Sequence, residues 1–126
     1  MPYKTTWRPG GVIWTFSGVF TGEDAIQANL DIYGDPRFDD LRYQIVDISQ
    51  VERFNLPNEA VETAAAMDEA ATLSNPRLIV AVVAPTGEAL KAAESYKSAM
   101  SESRWKVRIF CSMEDAREWV RPSCGR

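Results

Sequence analysis

Tyr3, Thr5 and Trp7 alternate with Lys4, Thr6 and Arg8, a period of two that predicts a half-buried strand, and Pro9-Gly10-Gly11 breaks it. Val12 to Phe16 is β-branched and aromatic and stops at Ser17-Gly18, so the first two strands are expected to form an antiparallel hairpin. The period then changes. Thr21-Gly-Glu-Asp24 has the form of a capping box, and Ile26, Leu30 and Tyr33 fall on one helical face behind it. Gly34 suits a left-handed helix end, and Asp35-Pro36 prevents continuation. Leu41 to Val51 reads as a central strand that is apolar in its middle and polar at Asp47 and Ser49. From about Pro57 to Ser74 the pattern is helical again, with Ala60, Ala64, Met67 and Ala71 in one stripe and Glu59, Glu62, Asp68 and Glu69 assigned to a solvated face.

After Asn75-Pro76, Leu78 to Ala84 is uniformly apolar, as an interior parallel strand covered on both faces requires. Pro85-Thr86-Gly87 opens a third helix with the stripe Ala89, Ala93, Tyr96 and Met100. Lys106 to Cys111 alternates like an edge strand, and Ser112-Met-Glu-Asp115 is a second capping box before a short helix that Pro122 is expected to stop, leaving a flexible tail at about 121–126. The order ββαβαβαβα predicts an α/β fold. Its single-layer, mostly parallel five-stranded sheet would have only the first strand antiparallel, in one domain spanning 1–126.

Composition narrows the chemistry. At 126 residues, 45% hydrophobic and 25% charged, the chain can bury one ordinary core. A net charge of −4 with scattered basic residues gives no field for nucleic acid. No apolar run approaches the roughly 20 residues of a membrane span, and Met1 to Gly10 lacks the parts of a signal peptide, so a cytoplasmic protein is expected. Cys111 and Cys124 make no metal or redox spacing and read as one packed and one loose thiol. With no histidine the chain lacks the usual general base and the commonest metal ligand, and no metal or cofactor motif is present.

The element order, with Val46-Asp-Ile-Ser-Gln-Val51 at the end of the third strand, resembles the STAS domain, the fold of bacterial anti-sigma-factor antagonists, and within it the SpoIIAA-like branch. Phe16-Ser-Gly-Val-Phe-Thr-Gly22, Val82-Val-Ala-Pro85, Val107-Arg-Ile-Phe110 and Ser112-Met-Glu-Asp-Ala-Arg-Glu-Trp119 support the match, which covers nearly the whole chain. In phosphorylatable antagonists the third strand leads into Asp-Ser-Ser-Gly, whose serine is the kinase target. Counted without gaps from Asp47, this chain has Asn55-Leu56-Pro57-Asn58 there, with no hydroxyl. The resemblance therefore implies the scaffold without that switch.

In a parallel sheet the strand ends that precede helices share one edge, so Asp47, Ser49, Asn58, Thr86 and Gly87, with Thr21 and Ser112, are the candidate ligand or partner rim. The same residue types also serve caps and turns. Trp7, Trp14, Trp105, Trp119, Tyr96 and Phe110 are candidates for a core or for a surface shown to a partner, including a second copy in a homodimer. Three functions follow. The first is a non-enzymatic interaction or regulatory module. The second, brought in by the resemblance because related folds hold apolar ligands between sheet and helices, is a small-molecule or lipid-binding module with a cavity beneath Ala60, Ala64 and Met67. The third is an enzyme using Asp47, Ser49 or Lys91, for which nothing in the sequence supplies a base.

Overall fold

The computed structural model describes residues 3–85 and 87–124, with the side chains of 122–124 outside the description. Strands β1 (Tyr3–Arg8), β2 (Gly11–Thr21), β3 (Tyr43–Asn55), β4 (Ile79–Val83) and β5 (Lys106–Phe110) alternate with helices α1 (Gly22–Tyr33), α2 (Asn58–Ala71), α3 (Gly87–Ala99) and α4 (Met113–Cys124) after the first hairpin. The strands lie in the order β1-β2-β3-β4-β5. β1 is antiparallel to β2 and every other pair is parallel. The expected fold class is the observed one.

That order decides where the helices go. Each parallel crossover steps to the next strand in the same direction, and right-handed crossovers then put every connecting helix on the same face. Ala28 and Ile32 of α1, Ala65 of α2 and Ala89 and Ala93 of α3 accordingly pack with Trp14, Phe16, Ile48, Val80, Val82 and Val107. α4 follows the last strand and is not a crossover, so it is free to cover the opposite face. There Ala116 and Val120 meet Ile13, Tyr43, Ile45, Ala81 and Val83.

The hairpin turns on Pro9 and Gly10, and Gly10 has φ 74°, the arrangement a type II turn requires. β2 does not stop at Ser17-Gly18, as the pattern implies, but runs on to Thr21. Its register against β3 shifts between Thr15 and Ser17 and again between Gly18 and Val19, with Gly18 at φ 65°. The two residues that look like a turn stay paired, with Gln50 and Val51, and the extra residues of both irregularities lie on β3, so β3 carries the bulges and β2 runs on beside it. β3 is longer than expected for the same reason. It pairs with β4 only from Tyr43 to Asp47, and beyond that with β2 alone as far as Asn55.

Several other expectations are corrected. α1 buries Ala28, Asn29 and Ile32, while Leu30 is 50% exposed. The N-terminus of α1 lies close to α2: a Cβ on Gly22 would sit 2.6 Å from Ala60 Cβ. Gly34 closes α1 at φ −83°, not in the left-handed region, because the chain runs on into a 3₁₀ turn at Pro36–Asp40 capped by Asp35. α4 continues past Pro122 to Cys124; only one backbone N–H is lost to the proline, near a helix end where few bonds remain to break. The rest of the expected tail, residues 125 and 126, lies outside the described residues. Cys111 is exposed, since β5 ends at Phe110 and the next residue turns away, and the side chain of Cys124 lies outside the described residues.

The aromatic residues are largely used internally. Trp14 and Trp105 are buried, and Trp105 Nε1 donates to the Asn75 carbonyl at 2.6 Å. Asn75, itself buried, donates through Nδ2 to the carbonyls of Phe38 and Leu41 at 3.0 and 2.7 Å. Trp7 lies under the Arg37 guanidinium at 3.9 Å, and Trp119 packs on Phe110 with ring centroids 5.6 Å apart. Tyr96 is half-buried, and none of these rings is exposed.

Candidate functional site

Of the described rim residues, Asp47 and Ser49 are in hydrogen-bonding contact. Asp47 Oδ1 accepts from the Ser49 backbone N–H at 3.0 Å and from Ser49 Oγ at 2.6 Å, so the pair is engaged with itself beside the β3 bulge. Asn58 is the first residue of α2, whose N-cap is Pro57 with no side-chain cap. Gly87 opens α3 at φ 63° and is exposed, and Thr86 lies outside the described residues. Thr21 and Ser112 do cap helices: Asp24 N–H donates to Thr21 Oγ1 at 3.1 Å and Asp115 N–H to Ser112 Oγ at 3.2 Å.

A different site lies between the sheet and the three crossover helices. It is a cavity of about 100 Å³, floored by Trp14, Phe16, Gln44, Val46, Ile48 and Val82 and roofed by Ala25 and Ala28 of α1, Val61 and Ala64 of α2 and Ala92 and Ala93 of α3. The cause is legible in side-chain size. Alanines on the helices face aromatic and branched residues on the strands, and neither layer is bulky enough at this point to close the gap. Of the three residues expected above such a cavity, Ala64 lines it, whereas Ala60 and Met67 do not. None of the described rim residues Asp47, Ser49, Asn58 and Gly87 lines it either.

The polar groups of this cavity were not foreseen. Val12 pairs with Gln44 and Trp14 with Val46 across β2 and β3, so Gln44 and Trp14 are diagonal neighbours on the sheet floor. Gln44 is 2% exposed and Trp14 3%. Gln44 Nε2 and Trp14 Nε1 are closed off from solvent and have no hydrogen-bond partner among the described residues. Each such orphaned donor costs about 1–3 kcal/mol.

Asp68 is the second surprise. The acidic residues of α2 read as one solvated face, and Glu59, Glu62 and Glu69 are indeed exposed, but Asp68 is 4% exposed. Val61, Ala64, Ala65 and Asp68 share the inward face of α2. The spacing of 3, 4 and 7 residues from Val61 was the available signal. Asp68 Oδ1 accepts from Tyr33 Oη of α1, and Oδ2 accepts from Tyr96 Oη of α3 at 2.5 Å. One carboxylate thus ties together the three helices that roof the cavity. Burial pushes Asp68 up to about 6 against the opposing pull of the two tyrosine hydrogen bonds. Burial, and then the charge of Asp68, push both tyrosines up as well.

The comparisons with known proteins speak to the fold. No protein-family model matches the chain, and no curated protein matches it. Among solved structures it is similar to an uncharacterised protein of the DUF3478 family with a SpoIIAA-like fold from Shewanella loihica PV-4, at 18% identity and a TM-score of 0.55, over 94% of this chain and 91% of that one. It is similar also to the anti-sigma factor antagonist SpoIIAA in its unphosphorylated form, at 10% identity and a TM-score of 0.55, over 94% of this chain and 97% of the other. The protein has a STAS-type, SpoIIAA-like fold. Among its described residues no helix is long and apolar enough to cross a membrane, and no cluster of three or more metal-ligating side chains occurs.

Proposed function

We propose that this chain is a non-catalytic STAS-like module that takes up a small, mostly apolar molecule between its sheet and helices. The observation that carries this reading is the cavity of about 100 Å³ whose floor holds two buried side chains with unpartnered donors. An empty apolar void in a natural core is a cost, and an orphaned polar group is another; a ligand removes both. A cavity of 150 Å³ engineered into another protein binds benzene, so a single ring is the scale of occupant to expect. Without a serine at Asn55 to Asn58, uptake of a ligand replaces phosphorylation as the event that changes the module's state.

The interaction reading remains as the output of that event. One solved structure of this fold is an anti-sigma factor antagonist. The rim of Asp47, Ser49, Asn58, Thr86 and Gly87 is where a partner of this chain would dock.

Native and then denaturing mass spectrometry of the protein from its own host tests the ligand reading. Mass that disappears on denaturation, and that is missing from an Ala64→Leu variant in which the cavity is filled, is the expected result. A wild-type chain that is ligand-free and takes up no ring-sized apolar compound in titration refutes it.

A further inference from the structure

Resting on that reading, we infer that the ligand is a neutral molecule presenting a hydrogen-bond acceptor, of the ketone, ester or amide type, on a body about the size of one ring. Both unpartnered groups are donors. The indole nitrogen of Trp14 can only donate, and the unpartnered atom of Gln44 is its amide Nε2, also a donor. They come from diagonal positions on adjacent parallel strands and both side chains line the cavity, which is the arrangement that one carbonyl oxygen would bridge. The rest of the lining is overwhelmingly aliphatic and aromatic, which accepts the apolar body.

Charge narrows the class further. Asp68 is the one charged side chain among the described lining residues, and no lysine or arginine is among them. A carboxylate or phosphate ligand would enter without a counter-charge and beside a like one. An ammonium would find Asp68, but both carboxylate oxygens already accept tyrosine hydroxyls. It would also place donors against donors at Trp14 and Gln44. A neutral acceptor meets neither obstacle. A pure hydrocarbon fits the space and leaves the two nitrogens as they are.

The test is a titration of ¹⁵N-labelled protein with four probes of similar size: cyclohexanone, benzene, benzoate and benzylammonium. The Trp14 indole and Gln44 side-chain amide signals are assigned with Trp14→Phe and Gln44→Leu. Cyclohexanone is expected to bind about tenfold more tightly than benzene, the worth of about one net hydrogen bond. It should shift both assigned signals, and Gln44→Leu should erase the tenfold preference for cyclohexanone over benzene. Equal binding of benzene and cyclohexanone, or an unmoved Trp14 indole, overturns the ligand class and leaves the cavity reading standing. Tightest binding by benzoate or benzylammonium does the same. Failure of all four to bind removes the cavity reading and this inference with it. The indole shift in the wild-type protein decides the matter even if a variant fails to fold.

Discussion

Asp68 is a carboxylate held above its ordinary range in the middle of a helical roof, and its ionisation should be visible in stability. Folded, it titrates near 6, against an unperturbed value of 3.8. A shift of about 2 units is worth about 3 kcal/mol at 1.36 kcal/mol per unit. Between those two values the folded protein binds a proton that the unfolded chain does not, so stability falls as pH rises through the window. At neutral pH both states are ionised and the full penalty of a buried charge is felt. Well below pH 3.8 both are protonated and the penalty is gone. Asp68→Asn removes the titration while keeping the shape and an acceptor for one tyrosine. Urea unfolding of both proteins from pH 4 to pH 7.5 gives the difference directly, since titrations elsewhere in the fold cancel. Relative to Asp68→Asn, the wild type is expected to lose on the order of 3 kcal/mol between pH 4 and pH 7.5. A flat difference, or a wild type that gains on its variant as pH rises, would show that the two tyrosine hydrogen bonds outweigh burial and would refute the reasoning.

Substitutions elsewhere separate mechanisms that look alike in the sequence. Gly11→Ala places a Cβ 2.0 Å from the ring of Tyr43, so it should cost about 2 kcal/mol or more by overpacking, read from the denaturant midpoint. Gly18→Ala meets nothing within 4 Å and differs only in its φ of 65°, so the cost there should be about 1–2 kcal/mol of backbone strain. Trp105→Phe keeps most of the ring but orphans the Asn75 carbonyl, and thermal or chemical unfolding should show a loss of about 1–3 kcal/mol, against a smaller one for Trp119→Phe at the half-buried margin. Gln44→Leu should leave the ligand-free protein as stable as the wild type or more so, because it deletes an unpartnered buried group; a loss above about 1 kcal/mol would mean that the amide has a partner after all.

Element type and order were legible in the chain because they rest on local signals. Alternation at Tyr3 to Arg8, the uninterrupted apolar run at Ile79 to Val83 and the Thr21 and Asp24 capping box each name a structure within a few residues. The handed crossover rule then carries that order into a sheet and a helical face. Ser17-Gly18 shows the limit of such signals: the same dipeptide ends a strand or continues it, and only a partner strand that bulges and resumes pairing at Arg53 keeps β2 going. Leu30 and Asp68 show it for helices. A helical wheel orders residues around an axis, but which arc faces inward depends on how closely the neighbouring helix approaches. With Gly22 set against Ala60, the arc of Ala28, Asn29 and Ile32 faces inward and Leu30 is turned out. The site lay beyond reach for the same reason. A cavity is the difference between volumes supplied by β2, β3, β4 and three helices, and Gln44 and Trp14 become orphaned donors only once every neighbour that could have paired with them has been placed. The sequence by itself determined the elements and their order; the packing of those elements decided which polar atoms were left for a ligand.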